Sequence, residues 1–235
     1  MGRRTLVDDL VDGILADILD GKLQPHEAIP PEADIAKAYD VSRLTVREAL
    51  KVLRAQNILY VKAGRGTFVN PTDNWTGLDA IFKAASHGSG AEQVAVGLIE
   101  MRRMVETGAA ALAAKHHTPE HARQMRLCIA DMKRFYDSRD LDAFVAADIG
   151  FHDVVLKASG NLFVRALFAQ LGQLLYVTRR ETSAVAEIQL HAIEYHQKVM
   201  DSILSGDVEL ARRAMDEHMD QTYRDYERYV HTATP

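Results

Sequence analysis

Residues 29–69 read IPPEADIAKAYDVSRLTVREALKVLRAQNILYVKAGRGTFV. Pro30 and Pro31 hold the chain extended, and Glu32–Tyr39 follows as a short helix with Ile35, Ala36 and Tyr39 on its apolar face. Asp40 and Val41 form a turn. Ser42 is a good N-cap for the next helix, in which Thr45, Val46, Ala49, Leu50 and Leu53 supply the apolar period. That leaves Arg43, Arg47, Lys51 and Arg54 on the outer face. Ile58–Val61 and Thr67–Val69 then read as two strands joined by Lys62-Ala63-Gly64-Arg65-Gly66, whose glycines permit a tight tip. Upstream, Leu6, Leu10, Ile14, Ile18 and Leu19 make one stripe of an opening helix that stops at Gly21. Helix, short helix, basic helix and glycine-tipped hairpin form a winged helix-turn-helix, the plan that sets a basic helix in the major groove of DNA.

The charge distribution agrees. The chain has 235 residues, with 28 Lys and Arg against 33 Asp and Glu, so it is no uniformly basic coat. Residues 1–70 are balanced, but from Ser42 to Arg65 six cations face the single acid Glu48. Lys62 and Arg65 flank the hairpin tip, where they can meet phosphates or a minor groove. A composition 47% hydrophobic and 26% charged is ordinary for globular domains, and the length favours two of them. The lone Cys128 excludes a disulfide framework. The N-terminal helix carries Asp8, Asp9, Asp12, Asp17 and Asp20, unlike a signal peptide, and no apolar run reaches the ~20 residues of a membrane span. A cytoplasmic protein without a membrane partner is expected.

Along its whole length, 29–69 resembles the winged helix-turn-helix of GntR-type bacterial transcription regulators. The resemblance implies that Ser42, Arg43, Arg47 and the wing-tip Gly64 touch a double-stranded operator, and it offers Thr45 as a phosphate contact. It also shows a departure. The family usually carries Arg directly after its Pro-x-Glu segment, where this chain has Ala33.

Turn-formers gather at NPTDNWTG, residues 70–77, and at HGSG, residues 87–90. We therefore expect a DNA-binding domain over 1–70, a linker with one short helix over 71–90, and an all-helical domain over 91–235. In the last, apolar period predicts six helices: Val94–Lys115, Pro119–Ser138, Leu141–Ser159, Leu162–Glu181, Ile188–Leu204 and Val208–Val230. The fold class is thus mainly α, with a two-stranded wing.

Asp148 and His152 stand one helical turn apart, while His196 and His218 occupy the middles of two further helices. One carboxylate and three imidazoles make a donor set suited to Zn²⁺ foremost, and also to Ni²⁺, Mn²⁺ or Fe²⁺. Residues 94–222, from LIEMRRMVETGAAALAA to ARRAMDEHM, resemble the FCD effector domain of the FadR-like branch of the same family. In metal-containing members, the ligands fall on Asp148, His152, His196 and His218. The resemblance also turns Arg102 toward the effector cavity, where a guanidinium can hold a carboxylate through two parallel bonds. The plain alternative for Arg102 is a pair with Glu106 on its own helix. Asn161 either lines the cavity or caps its helix. These readings imply a homodimeric repressor released by a small organic or sugar acid bound at a metal. Two other readings stay open: a metal-dependent enzyme using the Asp-His₃ set, and a regulator that senses the metal itself. No catalytic residue is expected, because the chain has no nucleophile elbow, no glycine-rich cofactor loop and no general base marked by the ligand motif.

Overall fold

Helix α1 (Leu6–Leu19) begins at a capping box, in which Thr5 Oγ1 accepts from the Asp8 N–H and Asp8 Oδ2 accepts from the Thr5 N–H. A computed structural model describes residues 4–87 and 90–230 of the chain. They form two compact units, Met1–Ala91 and Glu92–Pro235. In the first, α2 (Glu32–Ala38) starts behind Pro31, and α3 (Arg43–Ala55) starts at Ser42, whose hydroxyl accepts the Thr45 N–H at 3.1 Å. Asp40 makes the α2–α3 turn with φ +51°, a value that Asp tolerates better than most residues. Leu10, Ile14, Leu15 and Ile18 of α1 meet Val46, Ala49, Leu50 and Leu53 of α3 in one core. Leu6, the first residue of the expected stripe, is exposed, so the buried face starts one turn later.

The wing is an antiparallel pair, β1 (Leu59–Lys62) and β2 (Gly66–Val69), with Leu59 opposite Val69 and Lys62 opposite Gly66. Gly64 and Gly66 take φ of +69° and +108°, which closes the tip. Residues 26–29 join β2 along its other edge. His26 N–H donates to Val69 O at 2.8 Å, and Ile29 N–H to Thr67 O at 2.9 Å.

The stretch expected as a linker is packed. Trp75 donates its indole N–H to Asn70 O at 3.0 Å and sits with Ala80 in the core of the first unit. Helix α4 (Leu78–Ser86) is tied to α1 by Lys83 and Asp12 at 2.9 Å. Gly88 and Ser89 of the HGSG stretch lie outside the described residues.

The second unit is helical throughout its described residues: α5 (Ala91–His116), α6 (Pro119–Ser138), α7 (Leu141–Ala158), α8 (Leu162–Gln170), α9 (Gly172–Thr182), α10 (Ala186–Leu204) and α11 (Val208–Asp225). A π-helical turn, Tyr226–Val230, follows. The predicted single helix over Leu162–Glu181 is two helices, broken at Leu171–Gly172. A glycine inside a helix costs roughly 0.5–1 kcal/mol, and the break lets Phe168, Leu171, Leu175 and Arg179 all turn inward. Side-chain caps at Thr118, Asp140, Asn161 and Asp207 start four of the helices. Ala110, Ala113 and Ala114 let α5 approach a core of Met125, Ile129, Phe151, Val155, Val199, Ile203, Met215 and Met219. Arg103 locks α5 to α11 by two bonds to Asp216, at 2.6 and 2.8 Å. Among the described residues, no helix is long and apolar enough to cross a membrane.

Leu53 is fully buried between α1 and α3. Leu53→Ala is expected to destabilise the first unit by about 2–5 kcal/mol. A urea midpoint equal to that of the parent protein would contradict this packing.

Candidate functional site

Two places carry chemistry, one in each unit. In the first unit, Ser42, Arg43, Arg47, Gly64 and Arg65 are exposed, as DNA contact requires. Thr45 is half-buried, with Oγ1 2.9 Å from Ser42 Oγ, so its hydroxyl also stiffens the cap. Arg47 Nε donates to Glu32 Oε2 at 2.8 Å, an exposed pair that orients the guanidinium from α2. Lys62 lies over the rings of Phe68 and Tyr60, with Nζ 4.6 and 5.3 Å from their centroids. Arg65 therefore stands at the tip of a wing whose base is stiffened by an aromatic–cation stack.

In the second unit, the structure brings Asp148, His152, His196 and His218 together. Asp148 and His152 come from adjacent turns of α7, His196 from α10 and His218 from α11. One ring nitrogen from each histidine lies within 4.8 Å of the others. His196 Nε2 is 3.1 Å from His152 Nε2 and 3.1 Å from Asp148 Oδ1. Phe151 packs against His196, with centroids 4.4 Å apart, and shuts that side of the cluster.

The other ring nitrogens settle which atoms carry protons. His152 Nδ1 is bonded to the Glu106 carboxylate, His196 Nδ1 to the Ala192 carbonyl, and His218 Nδ1 to Gln221 Oε1 at 3.2 Å. Each partner is an acceptor, so each Nδ1 donates, and a neutral His196 or His218 keeps a bare lone pair on Nε2. Burial pushes the His196 and His218 imidazoles well below the ordinary histidine value, with the neighbouring imidazoles adding to the effect. The bare Nε2 of His196 thus faces His152 Nε2 and the Asp148 carboxylate, and the buried Nε2 of His218 has no hydrogen-bond partner among the described residues. A proton relieves one such contact; a divalent cation relieves them all. The donor set fits a metal ion, and the Nδ1 partners are of the kind that orient metal-binding imidazoles.

Arg102, the expected effector anchor, is 5% exposed and donates Nε to Glu106 Oε1 at 2.8 Å, so the intrahelical pair exists. Its Nη2 also lies 3.5 Å from His152 Nε2, at the edge of the cluster. Asn161 accepts the Phe163 and Val164 N–H groups at 3.0 and 3.3 Å, which is the capping arrangement. His116, His117, His121 and His191 bond elsewhere, to Ser159 O, Ala113 O, Thr118 and Asp225 respectively.

Two buried charges were not expected in the site from the sequence, which offered Glu106 only as a partner of Arg102 and did not name Arg179. Glu106 is 1% exposed; burial alone would raise its carboxyl pKa, but Arg102 and His152 outweigh it and hold the group well below the usual range. Arg179 is 8% exposed, pairs through Nη1 with Asp148, and leaves Nε without a partner. Their spacing was a usable sign. Ile99, Arg102, Glu106, Ala109 and Ala113 fall on one buried face of α5, and Leu171, Leu175 and Arg179 continue the face of α9. A cavity of about 190 Å³ opens beside them, lined by Glu106, His152, Phe168, Leu175 and Arg179 among others.

Glu106→Ala removes the shared acceptor of Arg102 and His152 in a buried place. It is expected to destabilise the second unit by about 3–5 kcal/mol, read by chemical denaturation in the presence of a chelator. A loss below 1 kcal/mol would mean that the carboxylate is not holding this pair.

Residues 6–69 match the family described as "Bacterial regulatory proteins, gntR family", and residues 97–221 match the FCD domain. The chain is 26% identical over 209 residues to the galactonate operon transcriptional repressor of Escherichia coli K12, covering 88% of this chain and 90% of that protein. It is 27% identical over 209 residues to the HTH-type transcriptional regulator LutR of Bacillus subtilis 168, covering 86% and 92%. The fold is shared with Streptococcus agalactiae GntR (TM-score 0.53, 24% identity, 93% and 99% covered) and with a structure concerning Lar of Listeria monocytogenes (TM-score 0.62, 20% identity, 97% and 100% covered).

Proposed function

We propose, for a chain that belongs to the gntR family of bacterial regulatory proteins and carries an FCD domain, that it is a repressor released from DNA by a small organic or sugar acid. DNA binding and transcriptional regulation come with the family. The acid, the metal, the direction of control and the dimer are the added steps.

The observation that carries the proposal is the cluster of bare nitrogens beside buried guanidinium groups. Asp148, His152, His196 and His218 would hold the ion, with Zn²⁺ the best match to three imidazoles and one carboxylate. A bound ion supplies a Lewis-acidic position that a carboxylate oxygen can take. Arg179, which lines the cavity, and Arg102, at the edge of the cluster, supply cationic donors, and Arg179 has a free N–H to give. A cavity of about 190 Å³ leaves room for a small acid and not for a peptide. A relative named for the galactonate operon supports the sugar-acid class. Two copies of the chain would present paired recognition helices to a near-palindromic operator, multiplying the phosphate contacts of a single module.

Binding of the acid changes DNA affinity only if it favours one arrangement of the DNA-binding units over another. The test is a gel shift on the duplex upstream of the protein's own gene, using zinc-loaded protein and a panel of hydroxy acids and sugar acids that includes galactonate. Release on addition of one acid is expected. Tighter binding would reverse the sign of control, and a response to chelation with none to any acid would make the protein a metal sensor.

Mutations separate the two devices. Arg47→Ala is expected to weaken operator binding by about tenfold to a hundredfold, as loss of a base or backbone contact does, with zinc content unchanged. His152→Ala is expected to lower zinc content and abolish the response to acid while leaving acid-free DNA binding. Loss of both properties in either variant would contradict this division of labour.

A further inference from the structure

Gln221 lies one turn beyond His218 on α11 and is 5% exposed. Its side chain bridges two groups. Nε2 donates to Asp225 Oδ2, and Oε1 lies 3.2 Å from His218 Nδ1. Asp225, 6% exposed, also accepts from His191 Nδ1 of α10, at 3.0 and 3.1 Å from its two oxygens. His191 has a side chain 41% exposed, so a continuous run of hydrogen bonds leads from the surface to a buried imidazole.

The order of donors along that run is forced. An ionised Asp225 can only accept, so the Gln221 amide must turn its NH₂ toward it. The amide oxygen is then left to face His218, and that oxygen also only accepts. His218 must carry its proton on Nδ1, and Nε2 keeps the lone pair that has no partner among the described residues. An isolated histidine side chain prefers the opposite tautomer, with the proton on Nε2, which would leave no lone pair on the nitrogen that faces the cluster.

We propose that Gln221 and Asp225 are a positioning pair that fixes His218 in its cation-binding tautomer, with His191 holding the carboxylate from the solvent side. Neither residue touches the ion; both act through His218. The inference rests on reading the imidazole cluster as a metal site. It assigns a role to residues that supply no ligand atom. His152 and His196 are oriented by groups of another kind, the Glu106 carboxylate and the Ala192 carbonyl. The third imidazole alone depends on an amide, which could turn either way if Asp225 did not set it.

The test uses the full chain. Zn²⁺ affinity is measured by competition with a chromophoric chelator, the absorption spectrum of the Co²⁺-loaded protein is recorded, and folding is followed by thermal melting with chelator present. Gln221→Leu keeps the bulk and removes both hydrogen bonds. It is expected to weaken Zn²⁺ binding by about 10–100-fold and to alter the Co²⁺ spectrum, while the chelated protein still melts cooperatively. The double variant Gln221→Glu with Asp225→Asn inverts the pair. The new carboxylate accepts from His218 Nδ1 and from the new amide, so affinity is expected to return to within a few-fold of the parent. A merely structural role predicts no such rescue.

If Gln221→Leu binds Zn²⁺ like the parent, the proposal is wrong and the metal site stands. Should that single variant fail to fold, the double variant decides alone: recovery supports the pair, and a folded double variant that stays weak overturns it. If the parent protein itself takes up neither Zn²⁺ nor Co²⁺, the metal reading falls, and this inference falls with it.

Discussion

Lone pairs that face one another in a dry interior repel, and the second unit is built around such a meeting. His196 Nε2, left bare by its Nδ1 bond, stands 3.1 Å from both His152 Nε2 and Asp148 Oδ1. Leaving a polar group unsatisfied in an apolar interior costs on the order of 1–3 kcal/mol, so native proteins rarely keep one without a use. Here the groups are held in place deliberately. Each ring is pinned at its far nitrogen, and the helices that carry the rings are joined by a core of alanine, valine and methionine that leaves no freedom to splay. The arrangement makes sense as the preorganised half of an interaction whose other half is a cation.

Charge balance around the cluster follows the same logic. Arg102 and Arg179 are buried with Glu106 and Asp148, two cations against two carboxylates, and each acid is shared with an imidazole. A buried ion pair adds little net stability compared with apolar packing, whereas removal of one partner is expensive. Such a network is therefore a poor way to stabilise a bundle and a good way to hold charges ready for a ligand. The unpartnered Nε of Arg179 points the same way, since a guanidinium nine-tenths buried would otherwise have found an acceptor.

Much of this was legible in residue order, and the failures have physical reasons. Periodicity marked α1, α2, α3 and the wing because each is amphipathic or glycine-punctuated, and it marked Asp148 and His152 because i and i+4 share a helix face. It did not mark the strand-like pairing of residues 26–29, which is made by backbone groups that leave no side-chain pattern. Nor did it show that Trp75 and Ala80 close the core of the first unit, since a short apolar run does not announce its partner. The break at Leu171–Gly172 was hidden by unbroken apolar period on both sides. Arg102 was expected at the cavity from the family resemblance, with a pair to Glu106 as the alternative; that the pair is buried shows in the sequence only through its place on one face with Ile99, Ala109 and Ala113.

Trp75, Ala80 and Ala84 lie in or against the core of the first unit, so residues 71–86 pack as part of that unit. Helix α5 begins at Ala91 and carries Arg102 and Glu106 three to four turns along, roughly 16–22 Å from its start at 1.5 Å per residue. Arg102 and Glu106 are thus held one turn apart on a single continuous helix, bonded to each other and, through Glu106, to His152. A ligand bound there can alter DNA affinity only through differential affinity for two states of the protein, and about 1.4 kcal/mol of it corresponds to a tenfold change in that affinity.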